Sequence, residues 1–168
     1  VYILDNVKGG GSVTKTKIFD RILDAMGVLV HNGDIYIPDQ DRLIKLVDQG
    51  GGNWEDETVI DISTGDGWYE YSFGPLAPGD GYLYVGNSNH TDPPGGYLVE
   101  QPGDNRGTII RIPEEGGDEW EVYARGIRMP DGMGLGPNGE IIVAENQGIW
   151  RPACDILHVR EGKFYGYS

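Results

Sequence analysis

The stretch Pro137-Asn138-Gly139-Glu140-Ile141-Ile142-Val143 decides the fold, because it reads as a tight turn opening onto a strand that is apolar at consecutive positions. Two further stretches repeat it. His31-Asn32-Gly33 leads into Asp34-Ile35-Tyr36-Ile37, and Gly79-Asp80-Gly81 leads into Tyr82-Leu83-Tyr84-Val85. The turn glycines Gly33, Gly81 and Gly139 are 48 and 58 residues apart. Asn-Gly and Asp-Gly supply the positive φ values that two-residue hairpin turns require. A strand that is apolar on successive residues is packed on both faces.

Working outward, each turn sits inside a unit of four expected strands. The first unit spans 17–47, with Lys17–Ile22, Gly27–Val30, Asp34–Ile37 and Arg42–Val47. The second spans 58–112, with Thr58–Ile62, Gly74–Ala77, Tyr82–Val85 and Thr108–Ile112. The third spans 119–159, with Glu119–Tyr123, Met133–Gly136, Glu140–Val143 and Asp155–Val159. Val1–Asp5 reads as a strand of a preceding unit, already under way, so the chain reads as a fragment. No segment keeps apolar residues at a 3.6-residue spacing for more than two turns, which excludes a helical alternative. A repeat of about 40 to 50 residues with four strands is the signature of a β-propeller. The expected fold is therefore all-β, a β-propeller of about three four-stranded blades. Such a sector leaves two apolar faces uncovered, so remaining blades or a second subunit must close the ring.

Composition agrees. In 168 residues there are 28 glycines, 10 prolines, 10 tyrosines and 4 tryptophans, which suits short strands and tight turns. The formal net charge of −14 disfavours nucleic acid and anionic membrane surfaces as partners; cations, neutral sugars and basic proteins fit better, and simple solubility explains the acidity without any partner. No apolar run approaches the roughly 20 residues that span a bilayer. Cys154 is alone, so no internal disulfide forms; it reads as a small buried hydrophobe, with a free reactive thiol or an intermolecular bridge as the alternative.

Propellers place binding groups on loops at one end, and three loops carry candidates. Arg125–Met133 contains Arg128, which suits bidentate pairing with carboxylates or quinone oxygens or, more blandly, an ion pair with Asp131 or a carboxylate of the next blade. Glu145–Asp155 offers side-chain and main-chain oxygens for an oxygen-ligand Ca²⁺ site, with Asp155 as outer anchor, or a polar loop satisfied by its own backbone. Gly67–Gly74 holds Glu70 between Tyr69 and Tyr71, where a raised carboxyl pKa makes a base, or a hydrogen-bonded rim residue. His31 reads as an exposed turn residue and His158 as lying in an outer strand. Asn89-His90-Thr91 has the form of a glycosylation acceptor. Zinc spacing, a Gly-x-Ser-x-Gly elbow and a glycine-rich loop before a helix are all absent.

From Gly81 to Tyr167 the chain resembles the soluble quinoprotein sugar dehydrogenases, the glucose and sorbosone dehydrogenase-like six-bladed propellers. The resemblance is carried by Tyr82–Asn87, Arg106–Ile112, Gly126-Ile127-Arg128-Met129-Pro130-Asp131-Gly132, Gly136–Glu140, Glu145-Asn146-Gln147-Gly148 and Gly162–Gly166. It is closest to the sorbosone dehydrogenase-like branch. The resemblance implies a pyrroloquinoline quinone (PQQ) cofactor over Ca²⁺, hydride transfer from a sugar, and an extracellular or periplasmic location. It implies cofactor contacts from Arg128, Asp131, Asn146 and Gln147, and calcium contacts from Gln147, Gly148, Ile149 and Asp155. Catalytic roles fall to Arg128 and, in place of the family's histidine, to Glu70, because Tyr69-Glu70-Tyr71 stands where that histidine is expected. Met129 replaces the polar residue that usually follows the arginine. Two other readings stay open: a non-catalytic propeller that binds a protein or assembles with itself, and a gluconolactonase-like metal hydrolase built on Asp131, Glu145 and Asn146.

Overall fold

In the computed structural model the described residues are 1–40, 42–62, 72–88, 106–117, 119–146 and 153–166. Their regular structure is entirely β, in four sheets, none closed into a barrel.

The strands follow one another as antiparallel meanders. A hairpin comes first, β1 (Tyr2–Asp5) with β2 (Thr14–Lys17). The first full sheet runs β3 (Leu29–His31), β4 (Asp34–Asp39), β5 (Arg42–Gly50), β6 (Asn53–Asp61), its spatial order matching its chain order. The second runs β7 (Ser72–Leu76), β8 (Tyr82–Asn87), β9 (Thr108–Pro113), β10 (Glu121–Arg125). The third is β11 (Gly132–Leu135), β12 (Ile141–Ala144), β13 (Ile156–Val159). The chain then turns back, and β14 (Lys163–Phe164) pairs in parallel with the outer edge of β10. All three central turns lie where the repeat places them. At the first, Asn32 and Gly33 both take positive φ, 53° and 93°, the geometry of a type I′ hairpin.

Alternation along the strands sends neighbouring side chains to opposite faces, and both faces are apolar. Ile35, Ile37, Ile44 and Leu46 pack with Phe19 on one side of the first sheet. Tyr36, Leu43 and Ile60 pack on its other side against Leu83, Val85, Ile110 and Ile112 of the second. The reverse face of the second sheet, Tyr84, Ile109 and Ala124, meets Ile141, Val143 and Val159 of the third. The sheets therefore stack face to face in chain order. Their first strands are neighbours, since β7 lies against β3 on one side and β11 on the other. Two glycines permit this approach: a Cβ on Gly27 would collide with the Gly74 carbonyl, and one on Gly86 would lie 2.6 Å from Pro130 Cγ and 2.9 Å from Met133 Sδ.

The strand grouping differs from the expected unit bounds by one strand. Thr58–Asp61, expected to open the second unit, belongs to β6 and pairs with β5 in the first sheet. Likewise Glu121–Tyr123 belongs to β10, the fourth strand of the second sheet. The reason lies in the outer strands. Residues 53–58 of β6 are mostly exposed and polar, so the sequence shows only the apolar end of that strand. Lys17–Ile22, expected as one strand, is regular only at Lys17, while Ile18, Phe19 and Ile22 pack as irregular chain on the first sheet. Cys154, expected to be buried, is exposed. His31 is also corrected: its side chain is 22% exposed and its Nε2 lies 2.9 Å from Glu114 Oε2, linking the first and second sheets.

Candidate functional site

Each sheet has one end where the first strand begins, the second ends and the third begins. At that end all three sheets carry buried or half-buried polar groups in place of the core's aliphatic ones.

In the first sheet the group is Asp39, the last residue of β4, whose side chain is 1% exposed. Its Oδ1 accepts the Leu23 N–H at 2.8 Å from the loop leading into β3. Its Oδ2 accepts Arg42 Nε at 3.1 Å and Nη2 at 2.8 Å. A carboxylate removed from water is stable only with its lone pairs filled in this way. In the second sheet Ser72, Asn87, Ser88, Arg106 and Thr108 are all buried. Every one of them is engaged: Ser72 Oγ donates to Gln40 O at 2.8 Å, joining the first corner to the second, and each of the other four has an interaction partner.

In the third sheet Glu145 Oε1 accepts the backbone N–H of Arg128, in the loop leading into β11. The Met129 carbonyl accepts two N–H groups, Asp131 at 2.9 Å and Asn146 at 3.0 Å. Asn146 Nδ2 lies 3.8 Å from Met129 Sδ, and the Glu145 N–H donates to Asp155 O at 2.8 Å. A bond from Ile127 N to Gly107 O at 3.1 Å joins this corner to the second. The three corners therefore form one continuous polar rim.

The expected residues can now be placed. Arg128, Asp131, Asn146 and Asp155 gather in the third corner, Arg128 and Asn146 through Glu145 and Met129. Glu70, Gln147, Gly148 and Ile149 lie outside the described residues, as does the Asn89-His90-Thr91 triplet. His31 sits at the far end of β3, and His158 is on β13 with its Nδ1 3.4 Å from Arg160 Nη2. Neither reaches the rim. Among the described residues no group of three or more His, Cys, Asp or Glu could hold a metal ion; of the expected calcium contacts only Asp155 is among the described residues.

Sequence reasoning missed Asp39, Asn87, Arg106 and Thr108. A signal was present. Asp39, Asn87 and Glu145 each stand six residues after a turn glycine, Gly33, Gly81 and Gly139, so aligning the repeats on those glycines puts the three polar residues in one column. The partner across the sheet changes: Arg42 is in register with Asp39 and Thr108 with Asn87, while the Glu145 N–H reaches Asp155.

Chemically, the rim suits a ligand with carbonyl or carboxylate oxygens. It brings three arginines to one end, Arg42 closed onto Asp39 within its own sheet, Arg106 buried in the second corner, and Arg128 on a loop whose main chain is held from below. No protein-family model matches the chain, and no curated protein matches it.

Proposed function

We propose that the chain is a sector of a six-bladed β-propeller and that the whole is a quinoprotein-like sugar dehydrogenase whose binding face is the polar rim. The observation that carries this reading is the recurrence of the corner at one end of three stacked sheets, with Arg128 held in the third by Glu145. Face-to-face stacking in chain order and the adjacency of the first strands support radial packing.

In this reading Arg128 pairs with an anionic group of the quinone, Asn146 and Asp131 flank it, and Glu145 fixes the loop so that the guanidinium is placed before the ligand arrives. When bound, the quinone supplies the acceptor for hydride from a sugar hydroxyl carbon. Glu70 is assigned as the base that takes the hydroxyl proton. Three of the four expected calcium contacts, Gln147, Gly148 and Ile149, lie outside the described residues, so no role is derived for the ion. An extracellular or periplasmic location belongs to the same proposal.

The test is reconstitution of the closed propeller, this sector together with the remaining blades or second subunit, with PQQ and Ca²⁺, followed by addition of aldose sugars. The account expects retained quinone, a change in its absorbance on adding sugar, and loss of both in Arg128→Leu. Retention that is indifferent to Arg128→Leu would remove the arginine from the site.

A non-catalytic module is the second reading, favoured by the distance of His31 and His158 from the rim and by exposed apolar residues on the outer sheets, Val28 and Val30 on one side and Ile156 on the other. Sedimentation showing self-association, with no quinone retained, would select it. The metal-hydrolase reading has Asp131 and Asn146 donating their backbone N–H groups to the Met129 carbonyl, with Glu145 on the neighbouring Arg128 N–H; chelator-sensitive lactone turnover would select it.

A further inference from the structure

The opposite end of the second sheet carries a pocket that the proposed function does not use. It has a volume of about 350 Å³ and is lined by Tyr82, Arg111, Pro113, Glu119, Trp120 and Glu121. Its arginine belongs to the wall. The Arg111 guanidinium lies 5.0 Å from the centre of the Tyr82 ring and 5.7 Å from that of Tyr123. Its Nη2 is 2.8 Å from Glu121 and 2.9 Å from Glu161. That cation is therefore fully committed to two carboxylates and two rings, and the wall around it is net negative. Glu119 is different: among the described residues it makes no ion pair. Trp120 beside it is fixed from behind, because it packs against the core cluster between the first and second sheets.

A fixed indole, a tyrosine ring and an uncommitted carboxylate together recognise a cation carried on an apolar stem. We propose that this pocket binds the arginine or lysine side chain of a basic protein segment. The stem lies along Trp120 and Tyr82, and the charged head meets Glu119. An anionic ligand is repelled by the wall, while a neutral sugar can stack on the rings but gains no ion pair with Glu119. The net charge of −14 steers a basic partner toward the surface. Because the pocket and the rim lie at opposite ends of the sheet, this proposal stands whether or not the quinone reading does.

The test uses the full chain and three probes: acetyl-Gly-Arg-Gly-amide, acetyl-Gly-Leu-Gly-amide and glucose. The readout is the indole N–H resonance of Trp120, assigned by its loss in Trp120→Phe. The arginine peptide is expected to shift it saturably, more weakly as salt is raised, and about fivefold more weakly in Glu119→Gln. Glu119 is exposed, so the remaining resonances of that variant report an intact fold. Equal shifts from the leucine peptide, an affinity unchanged in Glu119→Gln, absence of any saturable shift, or a shift from glucose in place of the arginine peptide would each overturn the proposal.

Discussion

Asp39 and Glu145 stand at matching places in two sheets, six residues after a turn glycine, and each accepts a backbone N–H from the loop leading into its sheet's first strand. Their surroundings then diverge. Asp39 is answered from within its own sheet by Arg42, through two hydrogen bonds. Glu145 has Asp155 across from it, and the arginine of that corner, Arg128, sits on the lead-in loop itself. The first corner is thus closed and serves the fold. In the third the backbone device is the same but the arginine sits on the lead-in loop, its own N–H held by the acid.

The sharpest way to break this comparison is to give the first corner the acid pair of the third. Arg42→Asp sets a second carboxylate in register with buried Asp39 and is expected to lower stability by about 4 kcal/mol in urea unfolding, near the upper range for breaking a buried pair. A loss under about 1 kcal/mol would mean that Asp39 does not depend on Arg42. Gly86→Ala tests the junction between the second and third corners. Its Cβ meets Pro130 and Met133, and overpacking of this kind costs about 2 kcal/mol. Unchanged stability would show that the sheets can separate there freely.

Glu145→Ala removes an acceptor from the Arg128 N–H and is expected to cost about 1.5 kcal/mol, with Glu145→Gln recovering most of it because the amide oxygen still accepts. Equal losses in the two variants would mean that charge, not the backbone bond, is what Glu145 contributes.

The smallest effect concerns two buried tyrosines, Tyr36 of the first sheet and Tyr84 of the second. Burial, helped by the hydrogen bond to Asp80, raises the Tyr84 phenol above its ordinary value of 10.0, and burial raises Tyr36 likewise. Because the folded values lie above the unfolded one, the stabilisation is complete below pH 10 and is lost as pH rises through the folded values. Phenolate absorbance should reveal late-titrating tyrosines, and Tyr84→Phe should leave one fewer. An unchanged late-titrating amplitude in that variant would contradict the assignment.

The inner strands were legible because they are apolar at consecutive positions, as in Ile141-Ile142-Val143, and because glycine turns punctuate them. The outer strands were less so. β6 begins Asn53-Trp54-Glu55-Asp56-Glu57, a polar run whose strand character comes from pairing with β5, so the sheet borders fell one strand early. The grouping of Arg128 with Glu145 and Asn146 was visible as two neighbouring loops. Asp39 was not, because a single acid after Ile37-Pro38 looks like the start of a turn until the repeats are aligned on their glycines. Cys154 misled because a lone cysteine is usually a core residue, whereas here it lies on the loop before β13.

The central claim is that in the first and third corners one acid holds the lead-in loop by its backbone, and amide hydrogen exchange of Leu23 and Arg128 tests it most directly. Both amides should be protected, with Asp39→Ala releasing Leu23 alone and Glu145→Ala releasing Arg128 alone. Fast exchange of both in the unaltered protein, or protection that survives removal of the matching acid, would contradict it.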